Sequence, residues 1–552
     1  MNVPYEKIQE NQIIDQYAIS LLDIAEYFRT SNPPKYKMAI KCVKACFKTP
    51  ISQEMNACAS FELGKLYFYY TRNIDLAKFY LEQAYRCMKE LGTVLTKNRI
   101  ETACLLSEVY MQLKMYEPVK QILKEEVPYS REFHQFYAWL LFLLAEAYGT
   151  TGDWYNANEI ISTGITIFEQ LENAPLECFF RLSQALVKTL LKNTKTCLRQ
   201  LQSLVQTMKS TYDENTSQWP LFDWMGKETL TALTYLLTVI QSIHNCQMPR
   251  AYKYHTIALR HINDMRRLMV RSDWPVIRRR ALEALAAFEI ILFENIATAQ
   301  LMVAKPYEAI SVINVMVEKM RLNADLFNCF EPQLHTLLGI YCWSVRLPEN
   351  AERQFQAALR TAKDTDTWIV INLSLAIVYL LTCKGSDFYG LFERITPGKL
   401  QSSSPLLKAS AHFVHALHSY LQSRLQEAKS HLTDSVTIVR DEGAPRIQAL
   451  ATLLSAKLVS LEAPDMLLAA NNWAVKSADN SLILWSNHLI YELQLQFGHT
   501  EQAQFVKQKV DQVQQRLNAN IQQALLAPAH SLIQNGSTPV NDENELIIKK
   551  SL

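Results

Sequence analysis

Apolar and small residues along this chain recur at steps of three or four, the period of a helix with one buried face. A clear stripe follows Trp154 and ends at Leu171. Its members are Ala157, Ile161, Gly164, Ile165, Phe168 and Leu171. Polar connections with proline or glycine, such as those at Pro33-Pro34 and Pro397-Gly398, separate stripes of this kind. The pattern predicts an all-α chain of amphipathic helices joined by short turns.

The helices also show a repeat. Two groups of residues have the same spacings of 3, 9, 4 and 3, although almost 200 residues separate them. The groups are Ala145, Tyr148, Ala157, Ile161 and Gly164, and Gly339, Cys342, Ala351, Phe355 and Ala358. Small residues at a helix crossing with a large residue one turn later are typical of the tetratricopeptide (TPR) hairpin. Such hairpins bury their remaining apolar face only by stacking on neighbours.

The position that begins the second helix of a hairpin marks the copies along the chain. We place it at Ala39, Ala77, Val119, Ala157, Leu198, Ala251, Ala309, Ala351, Phe388, Ala428, Leu468 and Ala503. This predicts a TPR superhelix of about twelve antiparallel helical hairpins, continuous over residues 1–527. An insertion near 210–227 and an extra helical stretch near 272–287 lengthen two of the intervals between these positions. Residues 528–552 are expected to form a disordered tail.

Composition supports helices and argues against other classes. Only 13 of the 552 residues are glycine, whereas glycine makes up about 7% of an average protein. This shortage disfavours β-sandwiches, β-barrels and phosphate-binding loops, which need glycine in their turns. Lys+Arg is 56 and Asp+Glu is 54, which demands no polyanionic or membrane partner. The 11 cysteines include no CxxC pair, and we expect free thiols in a soluble intracellular protein without a signal peptide or a membrane span.

Catalytic chemistry is not evident. The sequence has no P-loop, no GxGxxG, no GxSxG and no HExxH motif, so we predict no enzyme activity and no cofactor. His412, His415 and His418 form an HxxHxxH run, with His431 in the next helix. Metal binding is geometrically possible there, but we favour a polar helix face with partly buried imidazoles and predict no metal. Asp364 and Asp366 are interpreted as helix caps rather than a catalytic pair.

Two segments are candidates for binding. Seven arginines lie between Arg260 and Arg280 against two aspartates, and they could grip phosphate or an acidic partner, or form an ordinary solvated helix face. The basic patch we single out is Arg266, Arg267, Arg271, Arg278, Arg279 and Arg280. The aromatic segment Trp219–Trp224 either packs back on the helices or docks a partner.

A groove along the first helices of the hairpins would bind an extended peptide. Repeat register places seven residues on this groove, although any of them could belong to the core instead. These candidate partner-binding residues are Trp139, Phe142, Glu146, Gln333, Thr336, Ile340 and Trp343. Phe142, Glu146, Thr336 and Ile340 occupy the positions where chaperone-binding TPR domains carry Lys and Asn, so that type of carboxylate clamp is disfavoured.

Several segments resemble the MAU chromatid cohesion factor family, the tetratricopeptide subunit of the cohesin loader. The similar segments are Ala25–Lys35, Pro220–Trp224 with Lys227-Glu228, Leu337–Cys342, Glu349–Phe355, Leu484–Ser486 and Pro528–Ile533. They are spread over almost the whole chain. The triple arginine Arg278–Arg280 is not a mark of that family.

The resemblance implies a non-catalytic scaffold. In this family an elongated TPR superhelix surrounds the N-terminal segment of a large HEAT-repeat partner, the Nipped-B-like subunit, and the pair loads cohesin on chromatin in the nucleus. Cohesin and chromatin would be contacted indirectly. The alternatives are a TPR adaptor in another assembly, such as a ubiquitin-ligase or transport scaffold, and a direct nucleic-acid binder that uses the arginines of Arg260–Arg280.

Overall fold

The structure is a computed structural model that describes residues 5–71, 73–151, 153–173, 176–177, 179–184, 227–269, 275–322, 324–327, 330–362, 365–400, 404–459 and 464–533. Within these ranges the regular secondary structure is helical, and they contain no strand. This confirms the predicted all-α class. The insertion near 210–227 and the aromatic segment Trp219–Trp224 lie outside the described residues.

The first eight helices are α1 (Tyr5–Thr30), α2 (Tyr36–Cys46), α3 (Gln53–Tyr70), α4 (Ile74–Glu90), α5 (Thr96–Gln112), α6 (Tyr116–Glu126), α7 (His134–Thr150) and α8 (Trp154–Gln170). Those after the gap are α9 (Lys227–His244), α10 (Met248–Met269), α11 (Pro275–Met302), α12 (Pro306–Leu322), α13 (Ala324–Phe327), α14 (Glu331–Ser344), α15 (Pro348–Thr361), α16 (Thr365–Leu381), α17 (Gly385–Phe392), α18 (Pro405–Leu421), α19 (Leu425–Glu442), α20 (Pro445–Leu458), α21 (Pro464–Lys476), α22 (Asn480–Gln496) and α23 (Thr500–Leu525). The 28-residue helix α11 contains most of the predicted extra helical stretch near 272–287.

Consecutive helices pack as hairpins, which confirms the predicted helical repeat. The pairs are α1/α2, α3/α4, α5/α6, α7/α8, α14/α15, α16/α17, α18/α19, α20/α21 and α22/α23. Two further pairs, α9/α10 and α11/α12, are joined by short turns that each contain a left-handed residue, Cys246 and Ala304 respectively. Side-chain caps support several helix starts: Ser52 accepts from the Met55 amide, and Asp153 from the Asn156 amide.

Seven of the hairpin turns share one backbone geometry. A residue with φ between 57° and 73° follows the first helix, and the next amide donates to a carbonyl five residues earlier at 2.7–3.0 Å. This is the Schellman closure of a helix C-terminus. The left-handed residues are Lys114, Cys246, Ala304, Arg346, Cys383, Ser423 and Gly498. Each lies five residues before a position that the repeat marks as the start of a second helix.

Burial tests the predicted register. Where the structure describes them, the positions that begin second helices are at most 2% exposed, with one exception. Leu468 is 56% exposed, whereas its neighbour Leu467 is 1% exposed. The placement at Leu468 is therefore wrong by one residue, because α21 turns Leu467, Ala470 and Ala474 toward the core. Leu198 lies outside the described residues.

The chain separates into two compact units. The N-terminal unit comprises residues 1–187, 203–230 and 267–282, and the C-terminal unit comprises 188–202, 231–266 and 283–552. In the N-terminal unit, α1 to α7 enclose one apolar core. Arg99 enters that core and lies 3.1 Å from Glu126, which also accepts from the Tyr85 hydroxyl at 3.0 Å. Two buried charges of opposite sign are thereby paired.

The C-terminal unit closes on itself. Helix α23 packs against α12, and the Tyr341 hydroxyl lies 3.3 Å from the Ala524 carbonyl and 2.8 Å from His530 Nδ1. Residues Pro528–Ile533 form a 3-10 helix, and Ile533 is 5% exposed. The described fold therefore continues six residues past the expected boundary at 527, because Ile533 has a buried place in the core. Residues 534–552 lie outside the described residues.

Two apolar helices belong to this same unit. The stretch Leu282–Met302 of α11 is long and apolar enough to cross a membrane by length and composition. Half of its apolar 18-residue window is buried inside the protein. Its residues Ile290, Phe293 and Ala297 are part of the apolar core. The apolar stretch after Trp368 forms α16, which also packs in that core. Both helices therefore pack in the apolar core of this unit.

Candidate functional site

A depression lies between α5 and α7, the first helices of two successive hairpins. Its volume is about 270 Å³. The lining residues are Glu108, Met111, Gln112, Trp139, Phe142, Leu143 and Glu146. Three of the residues that repeat register placed on a groove, Trp139, Phe142 and Glu146, therefore line one cavity. Partner contact at these residues stays a prediction.

The wall of this depression is apolar and its edge is acidic. Phe142 stands edge-on to Phe179 at a centroid distance of 5.2 Å, which fixes the orientation of its ring. Leu143 is buried, Trp139 is half-buried and Glu146 is exposed. Glu108 and Glu146 contribute two carboxylates. This arrangement suits a segment that offers an apolar side chain next to a basic one.

A second, larger depression of about 440 Å³ lies at the α1/α3 crossing. Arg29 donates to the Tyr70 hydroxyl at 2.9 Å and pairs with Glu26 one turn earlier. Burial raises the pKa of Glu62 above its usual value, although the nearby Lys65 opposes this. Repeat register did not single out these residues. The signal available in the sequence was the Glu26/Arg29 pair at helical spacing, inside the segment that resembles the cohesion factor family.

The four candidates in the C-terminal unit do not share one environment. Thr336 is 9% exposed, and its hydroxyl donates to the Pro332 carbonyl at 2.7 Å. Ile340 is half-buried against the core, and Gln333 is half-buried as well. Trp343 is 36% exposed. Thr336 is thus nearly buried and Trp343 is accessible, and partner contact at all four residues stays a prediction.

Of the predicted basic patch, the structure describes the side chains of Arg266 and Arg267. Arg266 Nη2 lies 2.5 Å from Glu289 Oε2, and Lys319 lies 3.3 Å from the other oxygen of the same carboxylate. Glu289 is 5% exposed, so Arg266 neutralises a buried charge rather than facing a ligand. Arg267 is exposed on α10. The side chains of Arg278, Arg279 and Arg280 on α11, and Arg271, lie outside the described residues.

The histidine run lies on α18 and meets α19. His415 and His418 are 7% and 4% exposed, and the His415 ring packs on Phe392 at a centroid distance of 3.9 Å. Burial lowers the pKa of His415 to about 4. By contrast, His412 Nδ1 lies 3.2 Å from His431 Nδ1 and 3.7 Å from a carboxylate oxygen of Asp434. The nearby carboxylate, that of Asp434, comes from the neighbouring helix α19.

Of the two aspartates interpreted as caps, Asp364 lies outside the described residues and Asp366 is in the first turn of α16. An acidic side chain in that position interacts favourably with the helix dipole. Its placement gives it a local structural role.

Comparison with known proteins identifies the family. The sequence profile of the cohesin loading factor family matches residues 17–220 and 179–501. The MAU2 chromatid cohesion factor homolog of Aedes aegypti is 28% identical over 87% of this chain and 85% of its own length. Maternal uncoordinated protein 2 of Caenorhabditis elegans is 25% identical over 90% of this chain and 92% of its own length.

Among solved structures, Scc4 crystallised in complex with Scc2n is similar in fold. Its TM-score is 0.59 at 10% sequence identity, with 92% of this chain and 99% of that chain covered. The same protein in complex with Scc2n and Ctf19n gives a TM-score of 0.58 at 11% identity. The family match extends over well more than half of the residues. This chain belongs to the cohesin loading factor family.

Proposed function

We propose that this chain is the non-catalytic scaffold subunit of a cohesin loader and that it binds the N-terminal segment of the large HEAT-repeat subunit. The observation that carries the proposal is the family match over residues 17–220 and 179–501. The similarity in fold to Scc4, whose structure was solved with Scc2n, supports this choice of partner. In this role the chain promotes cohesin loading for sister-chromatid cohesion.

The family implies a chromatin-related role in the nucleus. We place the protein in the nucleoplasm, associated with chromatin through its partner and through cohesin. The pairing of Arg266 with the buried Glu289 supports indirect rather than direct contact with DNA, because this arginine already serves an internal carboxylate. The alternatives, a TPR adaptor of another assembly and a direct nucleic-acid binder, remain outcomes of the tests below.

Within the molecule, we place one contact of the partner segment in the depression between α5 and α7. Trp139 and Phe142 offer apolar area, and aromatic residues are common anchors of binding energy at protein interfaces. Glu146 at the edge would attract a basic residue of the segment. Exposed Trp343 on α14 is a second contact candidate in the C-terminal unit.

A charge reversal tests this placement. Binding of a fluorescent peptide, the N-terminal segment of the large loader subunit, is measured by anisotropy with the full-length chain. Glu146→Lys should weaken binding by about tenfold, which corresponds to about 1.4 kcal/mol. Glu159→Lys is the matched control, because Glu159 is likewise exposed but lies on α8, the second helix of the same hairpin. It should bind like the unmodified chain.

Four outcomes decide between the hypotheses. Loss of binding in Glu146→Lys alone supports the contact at α5/α7. Equal binding by both variants and the unmodified chain places the segment elsewhere. Absence of binding by the unmodified chain, together with purification from nuclear extract that recovers neither cohesin nor the large subunit, favours an adaptor of another assembly. Retention on DNA that weakens steeply with salt would favour the nucleic-acid binder.

A further inference from the structure

The hairpin α18/α19 brings three side chains with metal-ligating atoms to one point. His412 on α18 directs its Nδ1 atom at α19, where His431 and Asp434 lie three residues apart on one face. The two Nδ1 atoms are 3.2 Å apart, and His412 Nδ1 is 3.7 Å from Asp434 Oδ2. All three ligating atoms lie within 4.8 Å of one another.

Two of these separations, 3.2 and 3.7 Å, are close to those between ligands of a small divalent ion. Zinc lies about 2.0–2.1 Å from imidazole nitrogen and carboxylate oxygen, and a tetrahedral angle then separates two ligand atoms by about 3.4 Å. Without an ion, the His412 and His431 rings are close enough for a hydrogen bond, which leaves the Asp434 carboxylate, 3.7 Å away, outside hydrogen-bond distance.

Neutral imidazole is the form that binds a metal. The site has an open side, since the side chains of His412 and Asp434 are 18% and 55% exposed. Water can therefore complete the coordination.

The two helices are held in register beside the site. The Ser435 hydroxyl donates to the Ala409 carbonyl across the hairpin at 2.9 Å, and Ser435 is fully buried. His415, one turn along α18, packs on Phe392 and lies 5.4 Å from the His431 ring, between centroids. These contacts restrict where the ligating rings can move, and a preorganised ligand set binds more tightly than a flexible one.

We propose that His412, His431 and Asp434 bind one divalent transition-metal ion of the zinc class, with water in the fourth position. Two imidazoles and one carboxylate select zinc, nickel, cobalt or copper over magnesium and calcium, which prefer oxygen ligands. The site joins the two helices of one hairpin. It shares no residue with the depression between α5 and α7 and does not depend on the proposed partner.

Metal titration of the full-length chain tests the site. The chain is freed of metal with a chelator and titrated with zinc chloride in competition with a chromophoric indicator. We expect one zinc per chain. His431→Gln and Asp434→Asn should each weaken binding by at least about tenfold, the effect known even for outer-shell partners of metal ligands. The control is His488→Gln, because His488 pairs with Glu492 at 3.5 Å without a third ligand nearby among the described residues.

Cobalt substitution adds a readout that does not depend on affinity. A visible d–d spectrum without a thiolate charge-transfer band supports the predicted ligands, and its loss in His431→Gln supports them further. Far-UV circular dichroism checks that each variant is folded, and Asp434→Asn at a half-exposed position provides a variant that keeps the core intact. The proposal is overturned if the unmodified chain binds no zinc, if both site variants bind like His488→Gln, or if the cobalt spectrum shows a thiolate ligand.

Discussion

At the scale of the residue, the repeat depends on contacts that admit no extra atom. A Cβ atom built on Gly339 would lie 2.6 Å from the ring of Phe355, and one on Gly64 would lie 2.7 Å from Leu81. In both hairpins the glycine is on the first helix and the large residue is on the second. The small-against-large pairing that the spacing predicted is therefore a direct contact, and it sets how closely the two helices approach.

Gly339→Ala should destabilise the C-terminal unit by about 1–3 kcal/mol, because the buried Phe355 ring must move to admit the methyl group. Urea denaturation followed by circular dichroism measures the change. Gly390→Ala is the control, since Gly390 is inside α17 with open space around it. Alanine there should stabilise by up to about 1 kcal/mol. Equal effects of both substitutions would contradict the close contact.

A buried histidine gives the stability a pH dependence. Burial lowers the pKa of His255 to about 4, against about 6.5 in an unfolded chain. The unfolded state therefore binds the proton first, and stability is lost as the pH falls from about 6.5 to about 4. His255→Leu should remove about 2–3 kcal/mol of this loss. Unfolding curves at pH 7 and pH 4 measure it.

At the scale of the element, the hairpin turn repeats more faithfully than its sequence. Seven described turns place a left-handed residue five positions before the buried repeat position of the second helix, and six of those residues are not glycine. A side chain in this conformation costs about 1–2 kcal/mol, yet the closure satisfies carbonyls at the end of the first helix. The scarcity of glycine that argued against sheets therefore extends to positions where glycine is the usual choice.

Ala304→Gly should stabilise the α11/α12 turn by about 0.5–1 kcal/mol, because glycine adopts a φ of 58° without the steric cost of a Cβ atom. Ala309→Gly, five residues later and buried in α12, should destabilise by about 1 kcal/mol or more. Denaturation midpoints of the two variants should move in opposite directions. A shift in the same direction would show that the turn is not strained.

At the scale of the whole molecule, the C-terminal end of the described chain completes a core formed about 200 residues earlier. Tyr341 on α14 meets Ala524 and His530, and the Asn520 side chain donates to the Ala304 carbonyl at 3.1 Å. The unit is thus held by contacts distant in sequence as well as by stacking of neighbours. A purely linear array would lack these contacts.

Ile533→Ala should destabilise the C-terminal unit by about 2–4 kcal/mol, since Ile533 is 5% exposed and truncation leaves a cavity. Hydrogen exchange should show faster exchange in α12 and α14, far from the substitution in sequence. Ser531→Ala, two residues earlier at an exposed position, should change neither stability nor exchange. Faster exchange confined to Pro528–Ile533 would contradict a shared core.

Sequence reasoning succeeded where the physics is local. Helical period, the small residues at crossings and the spacing of 3, 9, 4 and 3 are consequences of backbone geometry, so the helices, most register positions and the Gly339/Phe355 contact could be predicted. It failed at Leu468, where neighbouring leucines both fit the pattern and packing selected Leu467. Thr336, which it placed on a groove, is 9% exposed, and its contact with a partner stays a prediction.

By itself, the sequence determined an all-α repeat chain, and through its family segments, the cohesin loading role. Only the tertiary structure decided which charged side chains form ion pairs and which side chains contact each other. Arg266 looked like part of a basic surface, but a buried glutamate 23 residues away pairs with it. His412 gains Asp434 as a neighbour only because α18 and α19 cross there. The physical reason is the same in each case: periodicity fixes which face of a helix is buried, whereas the partner on the opposite helix depends on how the helices pack.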